Sequence, residues 1–271
     1  MTTGLWADHF RLMTILDTIV AHKRGEVAEA KVRVPEKALR AMAGFGRQTL
    51  SLKAGLKNPA KTGIIAEFKR KSPSRGEFLK GADAAAITEA YNRHGASGLS
   101  VLTDGHFFGG GNEDLVAARR QEIPILRKDF IIDEYQVVEA RAIGADVILL
   151  IAACLSPGEV RSLSGAAKAL GLEVLLEIHT FKELGHVCDE VDLVGINNRD
   201  LKTFAVDVER SKTLAARLPA GLPKIAESGI SDPAMIRDLR RHGFSGFLIG
   251  ESFMKHADPG EAFRQFVDQL A

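Results

Sequence analysis

Two lysines, three glutamates and an Asn-Asn-Arg run stand out in this chain because each follows a short apolar run. Glu67 and Lys69 close "GIIAEFK" (63–69), Lys128 closes "IPILRKDF" (123–130), and Glu177 closes "EVLLEIH" (173–179). Asn197, Asn198 and Arg199 end "DLVGINNRD" (192–200), while Glu227 and Ser228 end "PKIAESG" (223–229). Side chains alternate faces along a strand, so Ile65, Glu67 and Lys69 share a side, as do Leu175 with Glu177 and Ile225 with Glu227. Ammonium and carboxylate groups on a buried face suit proton transfer and the holding of an anion. Each residue alone has a plainer explanation. A lone Glu or Lys at a strand end is more often a solvated loop charge, and Glu67–Lys69 and Arg199–Asp200 read equally as local ion pairs worth under about 1 kcal/mol. That explanation weakens with repetition, because it must hold separately at each of these ends.

The elements that would position these groups are legible from residue 63 onward. Three further runs, "GLSVLTD" (98–104), "ADVILLIA" (145–152) and "GFLIGES" (246–252), and the five above alternate with helical segments bearing start and stop signals. Ser156, Pro157 and Glu159 make a capping box, "TFKE" (180–183) repeats the signal, and Asp232-Pro233 opens another helix. Strand–helix alternation at this spacing implies right-handed crossovers and a parallel sheet. Eight such units suit a closed (β/α)8 TIM barrel of the α/β class better than an open sheet, and no Gly-x-Gly-x-x-Gly follows the first run. Residues 1–62 lie outside the repeat and read as an N-terminal helical extension packed on the barrel, so 1–271 is expected to be a single domain.

In such barrels the strand C-termini form the active face, so scattered charges would become one ring. Gly229 and Gly250 stand at the ends of the last two strands, just before helix starts, where backbone N–H groups suit a phosphate. The glycines of "FFGGGNED" (107–114) read instead as a mobile loop. A net charge of +1 argues against a nucleic-acid footprint, and no apolar run approaches the roughly 20 residues that span a bilayer. The start "MTTGLWADHF" lacks the apolar core of a signal peptide. Cys154 and Cys188 follow no metal or redox spacing, as expected of free thiols in a reducing cytoplasm, and the histidines show no ligand spacing, so neither metal nor cofactor is expected.

The stretches "IAEFKRKSPSRG", "SVLTD", "ILRKDFIIDEYQVVEARAIGADVILLI", "LEVLLEIH", "GINNRDLKTF", "IAESGI" and "LIGESFM", with "IVAHKRGEV" near the N-terminus, resemble the indole-3-glycerol phosphate synthase family. The resemblance covers nearly the whole chain. It implies closure of an indole ring from 1-(2-carboxyphenylamino)-1-deoxyribulose 5-phosphate, with loss of CO2 and water, in tryptophan biosynthesis. It further implies Lys128 as general acid, Glu177 assisting proton transfer, and Glu67 orienting the lysines. Lys69, Ser72, Asn197, Arg199, Glu227 and Ser228 would hold substrate, Phe130 would pack on its ring, and Gly229, Gly250 and Glu251 would stand at the phosphate. Lys69 is expected to supply the cation that lowers the Lys128 pKa, as an acid working near neutral pH requires. Glu251 stands where the family often has Ser; a carboxylate cannot donate to a phosphate, so it is expected to turn away. The "RGEFLKGAD" loop and the triple glycine also depart from the family pattern. The expected partner is the phosphorylated small molecule, with no nucleic acid and no membrane; the expected state is a monomer, with docking to other tryptophan-pathway enzymes left open. A sugar-phosphate isomerase or epimerase, or a barrel that binds without catalysis, are the rivals, and neither has an evident use for the grouping of Lys128, Glu177 and Glu67.

Overall fold

Strand β1 (Ile64–Phe68) pairs in parallel with β2 (Gly98–Leu102), and the ladder continues through β3 (Ile125–Lys128), β4 (Val147–Ile151), β5 (Glu173–Ile178), β6 (Leu193–Asn197), β7 (Lys224–Glu227) and β8 (Gly246–Ile249), which returns to β1. This is the closed (β/α)8 barrel the alternation implies. The computed structural model describes residues 14–73, 75–200 and 205–270. The "MTTGLWADHF" start, the helical reading of residues 9–13 and the "LKTF" end of the sixth motif lie outside them. Among the described residues no helix is long and apolar enough to cross a membrane.

Alternation sorts each strand into an inner and an outer set. Ile65, Leu126, Leu149, Leu175, Leu193, Ile225 and Leu248 form a cluster inside the barrel. Their neighbours Ile64, Leu99, Ile125, Ile148, Val174, Val194 and Phe247 belong to a second cluster shared with the surrounding helices. Both faces are buried, which is why the strands are apolar throughout rather than alternating. Two residues beyond an inner apolar position the chain again points inward, and there the register places Glu67 beside Ser100, Glu177 beside Gly195 and Asn197 beside Glu227.

The segment before the barrel touches it from mouth to base. Helix α1 (Ile15–Arg33) starts with a capping box from Thr14 and Asp17. Farther along, Val27 and Ala30 pack with Leu39 of helix α2 (Glu36–Arg40) against Tyr135, Val138 and Ala142. The Tyr135 hydroxyl donates to the Val34 carbonyl at 2.8 Å. Helix α3 (Leu52–Lys57) plugs the base: Leu52 and Leu56 join the inner cluster. Glu173, at the first position of β5, accepts from the Leu52 and Lys53 amides at 2.9 and 3.1 Å and so satisfies donors that a helix N-terminus leaves free.

Three local expectations are corrected. The segment after β5 keeps the "TFKE" capping box but folds as a 3-10 helix, Phe181–His186, because the connection 179–192 is short and contains Gly185. The triple glycine has defined jobs in place of a mobile loop. Gly109 (φ 66°) ends a helical turn, Gly105–Phe108; Gly110 packs where a Cβ would stand 2.0 Å from the Leu102 carbonyl oxygen; and Gly111 starts the helix Asn112–Ala118. Finally, β1 ends at Phe68, so Lys69 lies just past the strand.

Leu52 is fully buried. Replacing it by Ala should leave a cavity and destabilise the fold by about 2–5 kcal/mol. The expected reading is a lower urea midpoint with an unchanged denaturant slope; an unchanged midpoint would remove α3 as the plug.

Candidate active site

A cavity of about 450 Å³ opens at the C-terminal ends of the strands. The structure brings to its lining Glu67, Lys69, Ser72, Lys128, Phe130, Glu177, Asn197, Arg199, Glu227, Ser228, Gly229, Gly250 and Glu251, but not Asn198, which is fully buried behind it. At the centre, the Lys128 ammonium faces three carboxylates from three strands: Glu227 at 3.6 Å, Glu177 at 3.7 Å and Glu67 at 3.9 Å. Lys69 meets the other oxygen of Glu67 at 2.9 Å, and its ammonium lies 5.4 Å from the Phe78 ring centroid. Asn197 donates to Glu177 at 3.1 Å, and the Ser100 hydroxyl donates to Glu67 at 3.3 Å.

The carboxylates occupy space that glycines leave. A Cβ at Gly195 would stand 2.0 Å from a Glu227 oxygen, and one at Gly250 would stand 2.6 Å from a Glu67 oxygen. Gly250 therefore has a steric reason to be glycine besides any role toward an anion.

Protonation follows from burial set against neighbours. Burial alone would lower the Lys128 pKa, but Glu177, Glu227 and Glu67 more than offset it and raise it above the ordinary lysine value. This corrects the expectation that Lys69 lowers it: Lys69 is tied to Glu67, and Lys128 is surrounded by acids. Burial would raise Glu67, yet Lys69 and Lys128 bring it below the usual carboxylate range. Burial opposes ionisation of Glu177 too, but Lys128, His179 and Asn197 hold it low. Glu227 goes the other way: burial and the adjacent Glu177 push it up to about 8, despite Lys128. His179 Nε2 lies 3.1 Å from Glu177 and its Nδ1 3.7 Å from Glu183; burial lowers its pKa, but the two acids raise it to about 9. The two neighbouring acids thus separate, one ionised and one protonated near neutral pH, as an acid–base site needs.

The rest of the lining divides by chemistry. Phe130 stands 6.0 Å, centroid to centroid, from Phe108, and Ile15, Leu16 and Ile19 of α1 add to this apolar part. Elsewhere lie Arg75, Arg199, Ser231, Ser252 and Lys255 with Gly229 and Gly250. Ser228 has φ 66°, a left-handed conformation that non-glycine residues rarely adopt. Asn198 holds this turn, its amide nitrogen bonded to the Ser228 carbonyl at 2.8 Å and its backbone N–H to the Glu227 carbonyl at 2.8 Å. Glu251 is not turned away. Its carboxylate lines the cavity because Arg75, at 2.9 Å, and Arg199, at 3.8 Å, draw it in.

A profile of the family described as indole-3-glycerol phosphate synthase matches residues 16–266. The chain belongs to the indole-3-glycerol phosphate synthase family. A protein of that name from Bacteroides thetaiotaomicron is 47% identical over 94% of this chain and 98% of its own length. One from Salinibacter ruber is 43% identical over 92% and 94%. Among solved structures, a tryptophan synthase alpha subunit from Legionella pneumophila overlays 81% of this chain and 95% of its own with TM-score 0.59 at 15% identity, a likeness of fold.

Membership explains the shared motifs; the structure adds residues that no motif singled out. His179 stands two positions after Glu177, so the same parity that aims Glu177 inward was the available signal. Lys23 carried a signal as well, sitting on the buried stripe Ile19, Lys23, Val27, Ala30 of α1. Arg75 lies in a turn and Phe108 ends the single helical turn Gly105–Phe108, both too short for periodicity to mark a direction.

The His179 pKa makes stability depend on pH. Its folded value of about 9 exceeds the ordinary 6.5, so its contribution is complete below pH 6.5 and is lost as pH rises through about 9. Glu227, raised from 4.5 to about 8, weakens the fold in the same direction but over a lower window. Between about pH 8 and 9, urea unfolding should show stability falling in the native chain and a markedly flatter profile in His179→Gln. Parallel profiles would show that His179 is not charged in the folded state.

Proposed function

We propose that this chain converts 1-(2-carboxyphenylamino)-1-deoxyribulose 5-phosphate to indole-3-glycerol phosphate, CO2 and water. The observation that carries the reading is the Lys128 ammonium held within 4 Å of Glu67, Glu177 and Glu227 on the wall of a single cavity. Family membership supports the same substrate and reaction.

Lys128 donates a proton to the ribulose carbonyl oxygen as the ring carbon bearing the carboxylate attacks the carbonyl carbon. The new C–C bond interrupts aromaticity; loss of CO2 returns the electron pair to the ring. The nitrogen lone pair then expels the hydroxyl as water, with a proton supplied to it, and loss of a C–H proton completes the pyrrole. Glu177, ionised beside Lys128, is suited to take that C–H proton and then to pass it to the lysine, which restores the ammonium. Glu67 bridges Lys69 and Lys128 and fixes their separation. Glu227 lines the pocket together with Ser228 and is held protonated by its surroundings. The phosphate goes to the Gly229 and Gly250 end with Glu251 beside it, Arg199 and Asn197 hold the sugar or carboxylate end, Ser72 and Lys69 help secure the substrate, and Phe130 packs on the aromatic ring.

The raised Lys128 pKa has a mechanistic reading. An ammonium among carboxylates stays protonated at neutral pH, which is the state a general acid needs before the attack. The substrate brings a carboxylate and a phosphate into the same cavity, and a site containing Lys69, Lys128 and Arg199 offsets that charge. The reading extends to organisation: residues 1–271 act as one domain, extension 1–62 included, in a monomer that works in the cytoplasm and is open to docking with other enzymes of tryptophan biosynthesis.

Mixing the protein with the carboxyphenylamino substrate and following indole fluorescence tests the activity, and no signal would exclude it. Lys128→Ala should lower turnover by roughly 10²–10⁴ with far-UV circular dichroism unchanged. A variant that keeps its full rate would remove Lys128 from the chemistry.

A further inference from the structure

Lys23, in the middle of α1, is buried to 1% exposure. A buried ammonium is costly unless acids and hydrogen bonds compensate it. Lys23 has three acid neighbours: Asp104 at 2.8 Å, Asp129 at 3.0 Å and Glu26, one turn along its own helix, at 2.9 Å. Asp104 and Asp129 are themselves buried and belong to the tips of different strands, β2 and β3.

Each aspartate is already committed to the backbone of its loop. One Asp104 oxygen accepts from the Phe107 and Phe108 amides at 2.8 and 3.2 Å. Asp129 accepts from the Phe130 amide at 2.8 Å through one oxygen; its other oxygen takes the Thr103 hydroxyl at 2.6 Å and the Arg127 guanidinium at 3.1 Å. Phe108 and Phe130 are the aromatic side chains at the apolar end of the cavity. Ile19, which lines the same end, lies four residues before Lys23 and so on the same face of α1. Three pieces of chain distant in sequence each contribute an apolar wall, and all three are joined at one nitrogen.

We propose that Lys23 is a positioning residue that sets the width of the aromatic slot, holding Phe108, Phe130 and Ile19 at the separation that admits a carboxyphenyl ring. It lies behind the cavity wall rather than in its lining, so it acts through the two aspartates. The inference rests on the ring-closure reading for the identity of the ligand, and on geometry alone for the linkage. A merely structural staple would loosen the whole mouth when removed. A positioning residue alters the ring end and spares the phosphate end, where Gly229, Ser231 and Ser252 stand on other loops.

Two probes separate these outcomes: anthranilate for the ring end and inorganic phosphate for the other, each titrated by calorimetry into the full-length protein. Lys23→Met leaves two buried carboxylates facing each other, so the double variant Lys23→Met/Asp104→Asn, which removes one of them and keeps the oxygen that caps Phe107 and Phe108, is made beside it. In a variant whose near-UV circular dichroism matches the native chain, anthranilate affinity should fall at least about tenfold while phosphate affinity changes less than about twofold, since small misplacements of a positioning group have large effects. KM for the substrate should rise with the anthranilate constant, with kcat falling less than KM rises. Unchanged anthranilate binding, an equal loss at both ends, or failure of both variants to fold would each overturn the proposal. Because the calorimetric arms need no turnover, native protein that binds both probes yet forms no indole would defeat the ring-closure reading without touching the linkage.

Discussion

The arrangement depends on one ammonium group being compensated where three strands of a closed sheet converge. Lys128 is surrounded by Glu67, Glu177 and Glu227, and none of these buried charges would be tolerable alone, because a lone buried ion carries a desolvation penalty of several kcal/mol. Together with Lys69, His179 and its second partner Glu183 they form a set of four acids and three bases. Glu227 retains its proton near neutral pH, its pKa being pushed to about 8, so three carboxylates face three cations and the set balances.

Charge compensation at this density needs room, and the room comes from backbone rather than from flexible side chains. Gly195 on β6 leaves space for Glu227, and Gly250 after β8 leaves space for Glu67. Ser228 accepts a left-handed backbone between Glu227 and Gly229, secured by Asn198. Residues held in such sparsely populated conformations persist where the surroundings over-determine them, which is common at functional sites.

The segment before the barrel is part of the site's construction. Its first helix supplies Ile15, Leu16 and Ile19 to the cavity, its last inserts Leu52 and Leu56 into the barrel base, and Asp146, the residue just before β4, accepts from both Arg47 and the Leu50 amide between them. A barrel without this segment would lack one apolar wall at the mouth and a plug at the base. The Arg75–Glu251–Arg199 grouping shows the same economy at the other end of the cavity, where a carboxylate stands among guanidinium groups in a region rich in backbone donors.

By itself the sequence determined the barrel, its strand order and the inward direction of Glu67, Lys128, Glu177 and Glu227. Those features follow from local periodicity, caps and the period-two parity of strands, all of which act within a few residues. The positions of Asn197, Arg199 and the two glycines at the mouth were legible for the same reason. What tertiary structure alone decided was distance and company. That Lys128 is raised rather than lowered, that Lys69 answers to Glu67, and that Glu251 faces inward all depend on which groups closure brings within about 4 Å, where Coulomb interactions in a buried site outweigh intrinsic pKa values. The joining of Lys23 to Asp104 and Asp129 belongs to the same class, because residues so far apart in the chain meet only once the barrel has closed beneath the helix.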